Sequence, residues 1–236
     1  MRYFVITDVH GFYDEMREGL NAAGFNPDKD FLISCGDMFD RGPKSPEVLE
    51  YLMGLAPERR AFVRGNHEDL LEDLVWGKEF ASMREVSNGT AKTIAQFTGC
   101  KKDEWEAHLN ELRENKLLNE YFGSLLDCYN VGKYLFVHGW YAEGESKEEW
   151  RKARWSNGFD SWYINGSPVG KTVVCGHIHT SYAHRRFHHK GKEFPNKRAQ
   201  ISLDQCCFEP FVDEGIIGLD ACTVLTHKVN VMGFEA

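Results

Sequence analysis

Side chains able to hold a metal ion or move a proton recur in five short stretches of the chain. DVHG carries Asp8 and His10, and GDMFDRG carries Asp37, Asp40 and Arg41. RGNHED carries Asn66 and His67, HGW carries His138, and CGHIHT carries His177 and His179. Carboxylate, amide oxygen and imidazole in one set suit a divalent ion of intermediate hardness, such as manganese, iron or zinc. The imidazoles are too many for an all-oxygen magnesium or calcium cage, and the ligands are too many for one centre. A bridging carboxylate would hold two ions roughly 3.5–4 Å apart, where both polarise one water and neutralise the oxygens of a phosphoryl group.

The segments just before these stretches explain how they could meet. YFVITD (3–8), FLISCGD (31–37), AFVRGN (61–66), KYLFVHG (133–139) and KTVVCGH (171–177) read as short apolar strands, each ending at one of the five stretches. In open α/β sheets ligands bind outside the carboxyl ends of the strands, so neighbouring strands would bring the groups together. Between the strands, Phe12, Met16, Leu20 and Ala23 recur at helical spacing, 46–52 reads as a helix, and 67–76 sets Leu70, Leu71, Leu74 and Val75 on one side of another. The alternation predicts an α/β layered sheet. Residues 78–126 read as a helical insertion within a single domain spanning 1–236. Trp105, Leu109 and Leu112 would lie on one of its helices, and Leu117, Leu118, Tyr121, Phe122 and Leu125 on another. Residues 140–170 read as a folded aromatic loop region, and 216–220 and 223–232 as an antiparallel pair of strands.

Composition narrows the partners. The net charge is −8, which repels phosphate backbones and argues against extended nucleic-acid binding. No apolar run approaches the roughly 18–20 residues of a membrane span. The opening MRYFVITDVHG lacks the shape of a secretory signal, and seven cysteines without a CxxC suit reduced thiols. A cytoplasmic location is expected.

Taken together, DVHG, GDMFDRG, RGNHED, HGW and GHIHT resemble the calcineurin-like metallophosphoesterase superfamily. The DRG and NHE forms are similar to its phosphoprotein phosphatase branch, which includes small bacterial and phage protein phosphatases and symmetrical diadenosine tetraphosphatases. The resemblance implies a four-layer α/β/β/α sandwich holding two divalent ions, manganese foremost. It implies that Asp8, His10 and His179 bind the first ion, that Asp37 bridges, and that Asn66, His138 and His177 bind the second. His67 and Asp40 would form an acid pair that protonates the leaving oxygen, and Arg41 would clamp phosphate oxygens. A second phosphate-binding arginine is expected in or near RWSNG (154–158), with Arg154 and Arg151 as candidates. Eukaryotic phosphoprotein phosphatases generally lack a histidine at the place of His179, so the chain mixes features of two groups.

The implied reaction is direct hydrolysis of a phosphoester or phosphoanhydride by a metal-bridging hydroxide. The expected substrate is a phosphorylated protein, serine or threonine foremost, with a dinucleoside polyphosphate as the competing nucleotide substrate. A non-catalytic binding scaffold is the reading from another class. The run around His184, His188 and His189 reads as a solvated loop that could lend a positive rim. Trp140, Trp150, Trp155 and Trp162 read mainly as packing, with nucleobase stacking as the sharper alternative.

Overall fold

Ten short strands among the described residues carry the molecule, and the central ones are apolar on both faces. In the computed structural model, which describes residues 1–77, 88–187 and 206–235, the first four are β1 (Arg2–Ile6), β2 (Phe31–Cys35), β3 (Arg60–Val63) and β4 (Leu125–Leu126). They are followed by β5 (Tyr129–Val131), β6 (Tyr134–Phe136), β7 (Thr172–Cys175), β8 (Phe211–Asp213), β9 (Ile216–Gly218) and β10 (Met232–Glu235). Two five-stranded sheets result, in the orders β10-β1-β2-β3-β4 and β5-β6-β7-β9-β8. Within the first, β1 to β4 are parallel and β10 closes the edge antiparallel to β1. Within the second, β6, β7 and β9 are parallel, flanked by antiparallel β5 and β8.

Side-chain alternation assigns the layers. Val5, Ile33, Cys35 and Val63 from one sheet meet Phe136, Val174 and Ile217 from the other in a shared core. The intervening residues Phe4, Ile6, Leu32 and Phe62 face a helical layer that includes Met16, Leu20, Leu52 and Tyr121. On the far side Leu135, Val173, Cys175 and Ile216 pack under Trp140, Phe159, Ala183 and Phe211. Strands buried on both faces need continuous apolar runs, which is why FLISC and TVVC show no polar alternation. Each buried aliphatic side chain contributes about 1.5–3 kcal/mol. The expected four-layer α/β/β/α sandwich is present.

Helices Tyr13–Ala22, Ser45–Gly54 and Asn66–Glu72 follow β1, β2 and β3 as anticipated, the last widening into a π-helical turn over Asp73–Gly77. From the stretch read as a helical insertion, Thr90–Thr98, Leu109–Glu114 and Lys116–Ser124 are helical, with a 3₁₀ turn at Trp105–His108; residues 78–87 lie outside the described residues. Four local expectations need correction. Leu125, expected on the helix of Leu117, Leu118, Tyr121 and Phe122, instead begins β4. Residues 140–170 contain two helices, Lys147–Arg154 and Gly158–Asn165. Ser146 and Glu149 form a reciprocal capping box for the first, and the Asn157 side chain caps the second. The stretch 223–232 is not one strand. Thr223–Thr226 makes a single helical turn between Cys222 and His227, both in left-handed backbone, and only Met232–Glu235 is extended. Its partner is β1, whereas 216–218 pairs in the other sheet, so the two tail segments never meet as a ladder. Thr180–Phe187, read as part of a loop, is a helix that buries Ala183; His188 and His189 lie outside the described residues.

Candidate metal centre

The loops leaving β1, β2, β3, β6 and β7 converge at one end of the two sheets. Backbone contact makes this possible. Gly36 has φ 80°, and a Cβ there would lie 2.5 Å from the Gly65 backbone, so the loops after β2 and β3 touch main chain to main chain. The Glu68 carboxylate ties the same loops together. It accepts from the backbone N–H groups of Gly65 and Asp37, each at 2.8 Å, and of Met38 at 2.9 Å. Among the described residues seven non-glycines have positive φ, and Asp8, His10, Asp37, Asp40 and His177 are five of them. Strain of this kind collects where side-chain direction matters more than backbone comfort.

Asp37 is the centre of the arrangement. Its Oδ2 lies 3.8 Å from Nε2 of both His10 and His67, and its Oδ1 lies 3.3 Å from Nε2 of His138. One carboxylate thus faces two groups of potential ligands: His10, Asp37 and His67, and Asp37, His138 and His177. The imidazoles are aimed by their other nitrogens. A carbonyl can only accept, so His10 Nδ1–H donates to Phe39 O at 2.8 Å and His138 Nδ1–H to Cys35 O at 2.7 Å. This is how metal-binding histidines are commonly oriented. It leaves His10 Nε2 facing Asp37, and His138 Nε2 facing both Asp37 and Asn66 Oδ1, the latter at 2.8 Å. A buried nitrogen lone pair amid oxygen acceptors needs a proton or a cation between them. The donor set therefore fits divalent ions.

The electrostatics agree. Burial alone would raise the Asp37 carboxyl, but His138, His67 and His10 hold it well below the ordinary range. Burial opposes charge on His138, yet Asp37 and Asp8 push that imidazole up to about 10, so in the absence of a cation it keeps a proton. Burial and the neighbouring His67 hold His10 well below its usual value, and burial with His138 pulls His177 down to about 4. Neutral imidazole is the form that ligates metal. Asp8 is pushed up to about 6 by burial, against the pull of His138 and with Asp37 adding to the rise, while it accepts from Thr7 Oγ1 and the His177 N–H.

Beside this pair of clusters stands the anticipated acid pair. His67 Nδ1–H donates to Asp40 Oδ2 at 2.6 Å, so Nε2 faces the clusters, with an Arg41 Nη2 3.3 Å away. Burial disfavours the imidazolium, but Asp37 and Asp40 outweigh it and His67 is raised. Asp8, His10, Asp37, Asn66, His67 and His138 are all buried, and Arg41 is exposed at their rim.

Other expected residues sit elsewhere. His179 belongs to neither cluster; its Nδ1 meets Ser181 Oγ at 2.7 Å and its ring lies near Phe208. Arg154 is buried and engaged, with Nε and Nη2 on Asp69 at 2.9 and 3.2 Å and Nη1 on Asp127 at 2.9 Å. Arg151 pairs with Asp73. Trp140 and Trp162 pack into the outer core, while Trp155 sets its ring edge-on to His177 with centroids 5.9 Å apart. Glu68 and Asp69 escaped the sequence reading of roles, although both stand inside RGNHED. Thr90 and Thr93, which bond Asp40, carried no local signal at all.

An α/β/β/α sandwich with paired ligand clusters at the carboxyl ends of its strands defines a carrier of a dinuclear metal site. The chain belongs to the calcineurin-like phosphoesterase family, whose model matches residues 1–206. Similar proteins include a symmetrical bis(5'-nucleosyl)-tetraphosphatase of Buchnera aphidicola subsp. Acyrthosiphon pisum (strain Tuc7), 44% identical over 68 residues, which are 29% of this chain and 24% of that protein. The asymmetrical bis(5'-nucleosyl)-tetraphosphatase PrpE of Halalkalibacterium halodurans is 31% identical over 113 residues, 44% of each chain. The matched stretches span less than half the length of these curated relatives. A cold-active protein-tyrosine phosphatase of a psychrophilic Shewanella superposes with a TM-score of 0.55 at 13% identity, covering 99% of this chain and 75% of that one. That likeness is one of fold. No helix among the described residues is long and apolar enough to cross a membrane.

Proposed function

We propose that the chain is a metal-dependent hydrolase that cleaves a phosphoanhydride bond of a dinucleoside polyphosphate. The observation that carries the reaction class is the position of Asp37, shared by both ligand clusters and flanked by the His67–Asp40 pair. The substrate class is supported by the curated relatives, which are named bis(5'-nucleosyl)-tetraphosphatases. This moves the reading away from the phosphoprotein substrate that the DRG and NHE forms favoured.

His10 and Asp37, with Asp8, would hold one ion; Asp37, Asn66, His138 and His177 would hold the other. Two divalent ions, manganese foremost and iron or zinc as alternatives, would polarise water and neutralise phosphoryl oxygens. The remaining work falls to side chains of the chain itself. Arg41, exposed at the rim with Nη2 beside His67 Nε2, binds the phosphate oxygens with a planar, permanent charge. Asp40 keeps the His67 Nδ1 proton in place, so that Nε2 carries the proton delivered to the leaving oxygen. Burial of the acid pair excludes water that would compete for that proton.

The test is hydrolysis of diadenosine tetraphosphate by the manganese-supplemented protein, with nucleotide products separated by chromatography and a phosphoserine peptide run in parallel. Two equal nucleoside diphosphates, or a mono- and a triphosphate, support the proposal and locate the cleaved bond. Release of inorganic phosphate from the peptide with no turnover of the dinucleotide replaces the substrate with a phosphoprotein and leaves the site chemistry standing.

A further inference from the structure

The helix Thr90–Thr98 comes from the inserted segment, far in sequence from the motif loops, yet it grips the loop that carries the acid pair. Thr93 Oγ1 donates to Asp40 Oδ1 at 2.9 Å and Thr90 Oγ1 donates to Oδ2 at 3.1 Å. Both threonines are fully buried. The same helix holds the next two residues through their carbonyls. Lys92 Nζ donates to Arg41 O at 2.9 Å, and Gln96 Nε2 donates to Gly42 O at 3.0 Å while its Oε1 accepts from the Ser45 N–H. Contact at the helix start is so close that a Cβ on Gly89 would fall 2.2 Å from Asp40 O.

These bonds leave the Asp40 carboxylate little freedom. Oδ2 receives the His67 N–H and the Thr90 hydroxyl, and Oδ1 receives the Thr93 hydroxyl. A threonine in a helix ordinarily turns its hydroxyl back to a carbonyl of its own helix, as Thr98 does to Ile94 O at 2.9 Å. Thr90 and Thr93 instead direct theirs to a carboxylate about fifty residues earlier in the chain.

We propose that Thr90 and Thr93 are positioning residues for phosphate-ester cleavage. They fix the plane of the Asp40 carboxylate, and through it the direction in which His67 presents Nε2–H to the leaving oxygen. The inference rests on the hydrolase reading above and makes the inserted helix part of the acid machinery. In the step concerned, a water oxygen bonds to phosphorus and the bond from phosphorus to the leaving oxygen breaks. That oxygen keeps the electron pair and takes the proton from His67 Nε2. The proton shed by the water goes to solvent, which also reprotonates His67. Only leaving groups too basic to depart unprotonated depend on this transfer.

Full-length wild type is compared with Thr93→Val, Thr90→Val/Thr93→Val, Thr93→Ser and the control Thr98→Val, all with manganese, on phenyl phosphate and p-nitrophenyl phosphate. Valine matches threonine in shape but donates nothing. The double variant should lose roughly ten- to a hundredfold in kcat on phenyl phosphate, and stay within about threefold on the nitrophenyl ester, with little change in KM. Thr93→Ser should restore the rate lost in Thr93→Val, and Thr98→Val should match wild type. A second readout does not need turnover. In ¹⁵N-histidine protein, Thr93→Val should shift the His67 Nδ1–H proton resonance and leave those of His10 and His138, which are bonded to backbone carbonyls, in place. Equal losses on both esters, or an unmoved His67 resonance, would overturn the proposal. Should wild type hydrolyse neither these esters nor diadenosine tetraphosphate, the hydrolase reading fails, while the resonance still decides the role of the threonines.

Discussion

Asp40 Oδ2 and His67 Nδ1 lie 2.6 Å apart, although they reach the site from loops after different strands. The bond selects one tautomer and one ring orientation, leaving Nε2 toward the ligand clusters. Replacing His67 by Asn should preserve bound metal and lower kcat on basic leaving groups by about 10²–10⁴-fold. Asp40→Asn should act in the same direction to a smaller extent. Metal content by mass spectrometry and kcat across a leaving-group series check both. Loss of metal in the His67 variant would instead make that residue a ligand.

Asp37 presents one oxygen to each cluster. Asp37→Asn should therefore weaken both ions together, whereas His10→Ala should weaken one set and spare the other. Titration with manganese, followed calorimetrically, separates the two cases by stoichiometry. Chelation of wild type should abolish turnover and lower Tm, because an ion that binds only the folded state stabilises it by about 2.7 kcal/mol at a hundredfold excess over Kd. Re-addition of manganese should reverse both changes.

Arg41 and Arg154 were both expected to meet phosphate, and the structure gives them different surroundings. Arg41 is exposed beside His67, while Arg154 is buried against Asp69 and Asp127. Arg41→Ala should raise KM at unchanged Tm. Arg154→Ala should lower stability by about 3–5 kcal/mol, since it leaves the buried Asp69 carboxylate short of its partner. Thermal melts read beside KM distinguish the two. A rise in KM for the Arg154 variant equal to that for Arg41, with no loss of Tm, would return Arg154 to the substrate.

Acid stability has a source remote from the site. Asp30 accepts from Arg2 Nε and Nη2 at 3.0 and 2.7 Å and from the Asn26 N–H at 2.8 Å. Burial would raise this carboxyl, but the Arg2 and Asn26 bonds lower it below its ordinary value. A folded-state value below the unfolded one means that the contribution is fully present above the unfolded carboxylate range, near 3.9. It fades as pH falls through the folded value. The Tm advantage of wild type over Asp30→Asn should thus be constant at neutral pH and shrink as pH drops below about 4. A gap that persists unchanged at pH 2.5 would contradict this.

The sequence by itself determined the five strands that end at the ligand stretches, the helices that follow the first three of them, and the ligand types, because these are local properties. A five-residue apolar run such as FLISC, closed by Gly36, reads as a strand buried on both faces, and GDMFDRG at its end as a polar turn. The two helices of the aromatic segment, capped by Ser146 with Glu149 and by Asn157, were read as a loop. The tail was misread too. Thr223, Val224 and Thr226 favour a strand by propensity, yet left-handed turns at Cys222 and His227 break it, and Thr223 Oγ1 is drawn to Asp8 O at 2.8 Å. Tertiary structure alone decided which arginine stays exposed at the rim, that Asp37 serves both clusters, and that threonines of an inserted helix hold Asp40. Each of these depends on distances between residues remote in the chain, and spacing along a sequence carries no record of which distant side chain claims a hydrogen bond.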